Sequence, residues 1–482
     1  MKRLFLYIMI FATAVFTACS DDDSFTTSRS AMLTFSSDTI NLDTIFSTVP
    51  TSTYTFWVYN TNKDGLRLRQ VRLQRGNQSG FRVNVDGTYL DNTTGSAVND
   101  LEIRKGDSIR VFVELTSGLT NSYEPQLIDD NIVFSLESGL EQRVNLRAYS
   151  WDAVLCDSIV IDSDSTLVST RPLVIRNGLR VDSNVTLTIN APTKLFFHAG
   201  AGIDVYGRLI VNSAGPDADD VVFRGDRMDN MFDYLPYDRV SGQWKGIRFH
   251  SSSFGNIICR ADIHSGEYGI ICDSAVYDDE NRRLDMENVT IHNCKGAGLM
   301  AINSNIRLSN CQISNTLGDC VDIYGGRATL VYCTLAQFYP FSGERGVALR
   351  FANYYGRYDC PLRLLECYNT IVTGYADDEI MGETRSEEVD FGYYFTNCIL
   401  RTPKNNDSSS EVFNNILWET PDDDIQGEKN FQTVDADRQY YDFHLSEESK
   451  ARGGAVIIDA YQYDRDFVDR GMSPDIGCYQ YR

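Results

Sequence analysis

The chain has 482 residues and carries 67 acidic against 44 basic side chains, a formal charge of −23. That excess repels a phosphate backbone, so nucleic acid is excluded as a partner, and an acidic polysaccharide would need a local basic groove or bridging cations. The length supplies two or three domains with ample cores.

The first element is a leader. Lys2 and Arg3 precede an apolar run from Leu4 to Val15, and small Thr17 and Ala18 stand before Cys19. This is a secretory signal over residues 1–18, too short to span a bilayer comfortably. Its removal takes the charge from −23 to −25, because Lys2 and Arg3 leave with it. Residues 19–30, with Asp21 to Asp23, are expected to form a flexible acidic tether, since almost nothing there can pack. The tetrad Phe16-Thr17-Ala18-Cys19 resembles a bacterial lipobox, with Phe16 in place of the usual leucine. That resemblance implies lipidation of Cys19 and an outer-membrane anchor. "SDDDS" is similar to the export signal of Bacteroidetes surface lipoproteins, which implies exposure at the cell surface.

From residue 31 to 150 short runs alternate apolar and polar residues: "STYTFWVYN", "LRLRQVRL", "SIRVFVEL", "NIVFSL" and "QRVNLRAY". Turn signals between them, such as "NKDG", "RKGD" and "LESG", predict an antiparallel β-sandwich. No Cys-Trp-Cys core signature is present, so it is immunoglobulin-like in architecture only, with the expected role of a spacer.

After Trp151 short strands are punctuated by Gly, Asn and Asp with no helical period. An Asn-Cys or Tyr-Cys unit, or a close variant, recurs at Cys294, Cys311, Cys333, Cys367 and Cys398. The spacing predicts a β-solenoid over 151–430, whose strands pair one coil away and bury a continuous apolar column. The twelve cysteines form no Cys-x-x-Cys pair and mostly sit inside apolar runs. With Cys19 assigned to lipid, the other eleven read as free, buried thiols rather than a disulfide framework.

"LTINAPTKLFF", "IDVYGRLIV", "VVFRG" and "WKGIRF" resemble the right-handed parallel β-helix proteins of the pectate-lyase-like class. "DFHLSEESKARGGA" and "DFVDRGMSPDIGCYQY" are similar to the ending of the choice-of-anchor Q family, with His444 and Cys478 departing from its usual residues. This marks 431–482 as the β-helix end or cap. The fold implied is all-β: a sandwich followed by a right-handed parallel β-helix. What it implies about function is carbohydrate contact, as binding or as cleavage by a lyase or glycoside hydrolase.

Strand phase locates a candidate groove. In "WKGIRFH", Ile247 and Phe249 point inward, leaving Arg248 and His250 outward. In "IICRADIH", Ile257, Cys259, Ala261 and Ile263 are expected inward, with Arg260, Asp262 and His264 outward. In "NVTIHN", His292 faces out. Arg248, His250, Asp262, His264 and His292 are therefore expected on one exposed face, with Trp244 or Tyr268 as a surface for sugar stacking. Weaker acid candidates are Asp319 and Asp322 in "NTLGDCVDIYGG", which resembles the Gly-Asp-Asp stretch of polygalacturonases with Cys320 in place of one acid. The plainer expectation puts Asp319 in a turn and Asp322 toward solvent.

The five histidines lack zinc-type spacing, so no metal site is expected from them. Calcium is the one ion for which the chain offers oxygen-rich loops, at Asp219-Asp220, Asp278-Asp279, Asp377-Asp378 and the EF-hand-like "DDDIQGEKNFQT". The alternative to glycan contact is a non-enzymatic structural or adhesive surface protein.

Overall fold

The computed structural model describes residues 24–91, 93, 95–212, 219–232, 234–404, 411–420 and 427–482. The leader, Cys19, Asp21 to Asp23 and the Asp422 to Gln426 part of the EF-hand-like stretch lie outside the described residues. Two compact units divide at Asp152 and Ala153.

The first unit is a sandwich of two five-stranded sheets. Tyr54–Tyr59, Ser108–Leu115 and Phe81–Val85 pair antiparallel in one; Glu141–Trp151, Gln126–Leu136 and Leu66–Leu73 form the centre of the other. Alternation does what the pattern requires. Ile109, Val111, Val113 and Leu115 turn inward with Phe56, Phe134 and Leu146, each side chain contributing on the order of 2 kcal/mol by leaving water. Part of the expected tether packs. Phe25 bridges to Gly65 and lies under the Arg67 guanidinium at 4.4 Å, because a single aromatic suffices to dock an otherwise polar segment.

The second unit is a parallel β-helix whose coils carry up to three short strands, stacked as three sheets. Sheet A contains Leu179–Val181, Ile203–Val205, Ile247–Phe249, Ile270–Cys272, Leu349–Ala352 and Ile380–Glu383, with the opening parts of Leu299–Ser309 and Val321–Val331 between. Sheet B continues through 256–259, 284–287, 304–309 and 326–331. Sheet C runs through 221–223, 261–263 and 289–291 to Gln312–Ser314, Thr334–Gln337 and Ile371–Gly374.

Between B and C stands a column of residues with positive φ: Arg260, Asn288, Asn310, Tyr332, Asn369, Asn397 and Asn415. Asparagine adopts this left-handed conformation at least cost, which explains its recurrence at one corner. The bend also resets the in–out alternation. Ile258 therefore points inward while Ile257 and Cys259 are half-buried, the reverse of the expected phase for that half of the strand.

Cys311, Cys333 and Cys398 follow the left-handed residue directly and point into the column. All eleven cysteines of the described residues are unpaired, and nine are buried.

The final segment does not close an end of the solenoid. Phe431–Asp435 and Tyr440–Leu445 form an antiparallel hairpin whose Phe431, Phe443 and Leu445 share a core with Ala336, Ile371 and Ile399 on the outward side of sheet C. Tyr479 donates to Gln312, and the Cys478 amide to Thr334. The expected cap is a lateral cover, because these sheet C strands carry apolar residues on both faces.

Candidate functional site

The expected groove residues occupy two sheets. Arg248 and His250 project from sheet A; Asp262, His264 and His292 project from sheet C. The five therefore share no single face: counting alternation separates inside from outside but does not say which of three sheets a strand belongs to. Trp244 offers no stacking surface either. It is 1% exposed, lies against Phe197 at 4.6 Å, and donates its indole N–H to the His264 carbonyl at 2.8 Å. Tyr268 is half-buried at the corner between C and A, with its ring against Gly296.

Both nitrogens of His250 face carboxylates. Its Nε2 is 2.8 Å from Asp204, its Nδ1 3.5 Å from Asp273, and its ring stacks on Tyr206 at 4.0 Å. Arg248 donates to Asp273 at 2.9 Å.

Further along the same outward column stand Asp322 and Arg350, three and four coils beyond Arg248. Asp319 joins them from the corner between C and A. Its carboxylate accepts the Val347 amide at 2.6 Å, and a side chain at Gly346 would collide with it, so glycine permits this close approach. Arg350 donates to Asp319 at 2.6 Å and to Glu383 at 3.0 Å, and its Nε lies 3.9 Å from Asp322. Asp322 is 4% exposed, so it does not face solvent as the plainer expectation had it; the neighbouring side chains from adjacent coils enclose it. Asp319 lies in the irregular connection between Gln312–Ser314 and Val321–Val331.

Burial, and then the adjacent Asp319 carboxylate, push the Asp322 carboxyl up to about 9 against the pull of Arg350. Burial disfavours the Arg350 charge, yet Asp319 and Glu383 outweigh it and raise the guanidinium above its ordinary value. The surroundings thus favour retention of a proton at Asp322, next to the Asp319–Arg350 ion pair. Tyr324 projects from the same strand as Asp322, with Tyr355 at 5.0 Å from it. Tyr355 belongs to a small hairpin, Tyr354–Tyr355 with Tyr358–Asp359, whose Tyr355 and Tyr358 rings are exposed. Such a pair can donate a proton to a leaving oxygen and stabilise developing positive charge, beside aromatic faces. Arg350, Tyr324, Tyr355 and Glu383 escape a reading of local motifs; only the coil register brings them to Asp319 and Asp322.

On sheet C, Asp262 Oδ1 lies 3.0 Å from His264 Nδ1 and 3.2 Å from His292 Nε2, and the two imidazoles stack at 4.6 Å. Burial pushes the Asp262 carboxyl up, but the two imidazoles outweigh it and hold it well below the usual range. Burial pushes His264 down.

The acidic pairs considered for calcium have structural employment. Asp278 accepts the Glu280 and Asn281 amides, Asp378 accepts that of Ile380, and Asp220 pairs with Arg260 and Arg465. A separate small cleft, lined by Tyr332, Tyr461, Gln462, Arg470 and Pro474, lies where the C-terminal segment crosses the B–C corner.

Residues 218–351 match the family described as the right handed beta helix region. No curated protein matches the chain. Among solved structures, a periplasmic alginate epimerase mutant is similar at 13% identity, with a TM-score of 0.29, over 55% of this chain and 75% of that one. A family 123 glycoside hydrolase from Clostridium perfringens aligns at 9% identity and a TM-score of 0.19, over 27% of this chain and 30% of that one. A family 28 exopolygalacturonase from Yersinia enterocolitica aligns at 9% identity and a TM-score of 0.15, over 73% and 85%. The family match covers coils that carry Arg248, Asp262, Asp322 and Arg350, and with the three stacked parallel sheets it puts the unit Ala153–Arg482 among the right-handed parallel β-helices.

Proposed function

We propose that this is an outer-membrane lipoprotein, anchored through Cys19 and exposed at the cell surface, whose β-helix contacts a glycan along the outward face of sheet A. The observation that carries the glycan reading is the buried Asp322 beside Asp319, Arg350 and the Tyr324–Tyr355 aromatic pair. A sugar chain needs hydrogen-bonding groups and apolar ring faces together, and this end of sheet A offers both. No bound metal is required for this chemistry, and calcium at the acidic loops is a subsidiary proposal, tested by adding and chelating it during binding.

The Asp319–Asp322 pair extends binding to cleavage. Asp322 would protonate the leaving oxygen as water adds to the anomeric carbon and passes its proton to Asp319, held by Arg350. The rival reading, a structural or adhesive surface, is favoured by the mutually satisfied ladder of Tyr206, His250, Asp204, Arg248 and Asp273.

A glycan array, followed by activity screening on the hits, tests the reading. Tyr355→Ala should lose binding, whereas Asp322→Asn should retain binding and lose any cleavage. A wild-type array without hits, or hits indifferent to Tyr355→Ala and Arg350→Ala, would sink the sheet A reading. For the anchor, Cys19→Ala should release the chain from membranes or leave it uncleaved; a processed, lipid-bearing Cys19→Ala variant would refute it.

A further inference from the structure

The three side chains on sheet C make a set that the sheet A reading leaves unused. His264 and His292 stand 28 residues apart in sequence but directly opposite each other in the strand register, with Asp262 two residues before His264. The pairing of adjacent coils, and not local spacing, assembles them. Sequence patterns of zinc sites count short intervals within one segment, so a set built across coils escapes them.

One donor atom from each residue lies close enough to the others to share an ion once the stacked imidazoles, 18° from parallel, turn toward it. Oxygen and nitrogen atoms bound to a tetrahedral zinc at about 2.0 Å stand about 3.3 Å apart. Here one carboxylate oxygen lies 3.0 and 3.2 Å from a nitrogen of each imidazole, and one donor atom from each residue falls within 4.8 Å of the others. His264 is 6% exposed, and its Nε2 has no hydrogen-bond partner, so its polar engagement is all on the side of Asp262. Its backbone is fixed in turn: the buried Trp244 indole donates to the His264 carbonyl at 2.8 Å.

The surroundings leave the ion one open side. The Asp262 and His292 side chains are 31% and 26% exposed, so water can fill the remaining positions. Arg224, the nearby cation, is drawn toward Asp238 at 3.6 Å and donates to the Arg227 carbonyl. On the following coil Ser314 occupies the position equivalent to His292, and Thr290 accepts from Arg465. Two imidazoles with one carboxylate suit a borderline divalent ion such as zinc or cobalt, not calcium, which takes oxygen ligands.

We propose that Asp262, His264 and His292 form a divalent transition-metal site, with zinc as the resident class of ion and at least one coordination position left to solvent. It is independent of the glycan reading and stands or falls by itself.

The test uses the full chain, stripped with a chelator and titrated with cobalt(II) and then zinc chloride. Cobalt should bind at one ion per chain with visible ligand-field bands, and zinc should displace it. His292→Gln and Asp262→Asn should each weaken zinc binding by at least ~10-fold. His198→Gln, which removes an exposed imidazole paired to Asp226 elsewhere on the β-helix, should leave it unchanged. Zinc should raise the thermal midpoint of the wild type and not of His292→Gln. The absence of saturable cobalt binding, or wild-type affinity in His292→Gln, would overturn the proposal. Because His292 is a quarter exposed, its substitution keeps the test informative even if Asp262→Asn folds poorly.

Discussion

Asp262 and Asp322 occupy like positions, and their surroundings shift the two carboxyls in opposite directions. Each projects outward from a parallel strand of the β-helix, and each takes its neighbours partly from the next coil. Asp262 meets two imidazoles, which favour its ionised form; Asp322 meets Asp319 in a more enclosed place, which favours its protonated form. Burial raises both, so burial alone does not distinguish them. What differs is the company each keeps: imidazoles from its own strand and the next coil for Asp262, a second carboxylate three residues earlier in the same coil for Asp322.

The contrast is sharpened most by removing each charge in turn. Asp262→Asn, measured with chelator present so that no ion contributes, removes a carboxylate that accepts from two imidazoles, one of them buried. Hydrogen bonds to a charged group are worth about 1.5–3 kcal/mol, and partial exposure reduces that, so a loss of about 2 kcal/mol is expected in denaturant unfolding at pH 7. An unchanged midpoint would mean that the two imidazoles do not depend on Asp262.

Asp322→Asn should act in the opposite direction. A carboxyl raised to about 9 in the folded chain is at its ordinary value when unfolded, so its stabilising effect is full below about pH 4 and is lost as pH rises toward 9. Above the unfolded value the unfolded state gains by releasing a proton that the folded state retains. Asparagine does not titrate. Relative to the wild type, Asp322→Asn should gain stability at pH 8 and be nearly neutral at pH 4. A variant destabilised equally at both pH values would show that Asp322 is not protonated in the folded chain.

The β-helix was legible because its causes are local: short apolar strands, corner asparagines and cysteines in core phase. The sandwich was legible for the same reason, from strict alternation in runs such as Ser108–Leu115. The site was legible only in its ingredients. His264 and His292 were identifiable as outward residues on neighbouring coils, but Arg248 and His250 belong to another sheet because two corners intervene between Phe249 and Ile263. Arg350 could not be assigned to Asp322 from sequence, since 28 residues and an irregular coil length separate them. Trp244 reads equally as a platform or as core; its contact with Phe197 decides for core.

The smallest effect on stability should come from Arg248→Ala, and it separates a local site from an extended one. Arg248 is half exposed and its one close ion pair is with Asp273, so truncation should cost no more than about 0.5 kcal/mol and leave the thermal midpoint nearly unchanged. Its place in the column matters more. Arg248 precedes Asp322 by three coils, roughly 14 Å at ~4.8 Å per coil, with Ile271 and Met300 between them. A glycan lying along sheet A from Asp322 reaches Arg248 only if it is long. Arg248→Ala should therefore weaken binding of long chains severalfold and leave short fragments of the same glycan unaffected. Tyr355→Ala, beside Asp322, should weaken both. Equal affinity of wild type and Arg248→Ala for the long chain would confine the contact to the Asp319–Asp322 end, leaving the His250 ladder as structure alone.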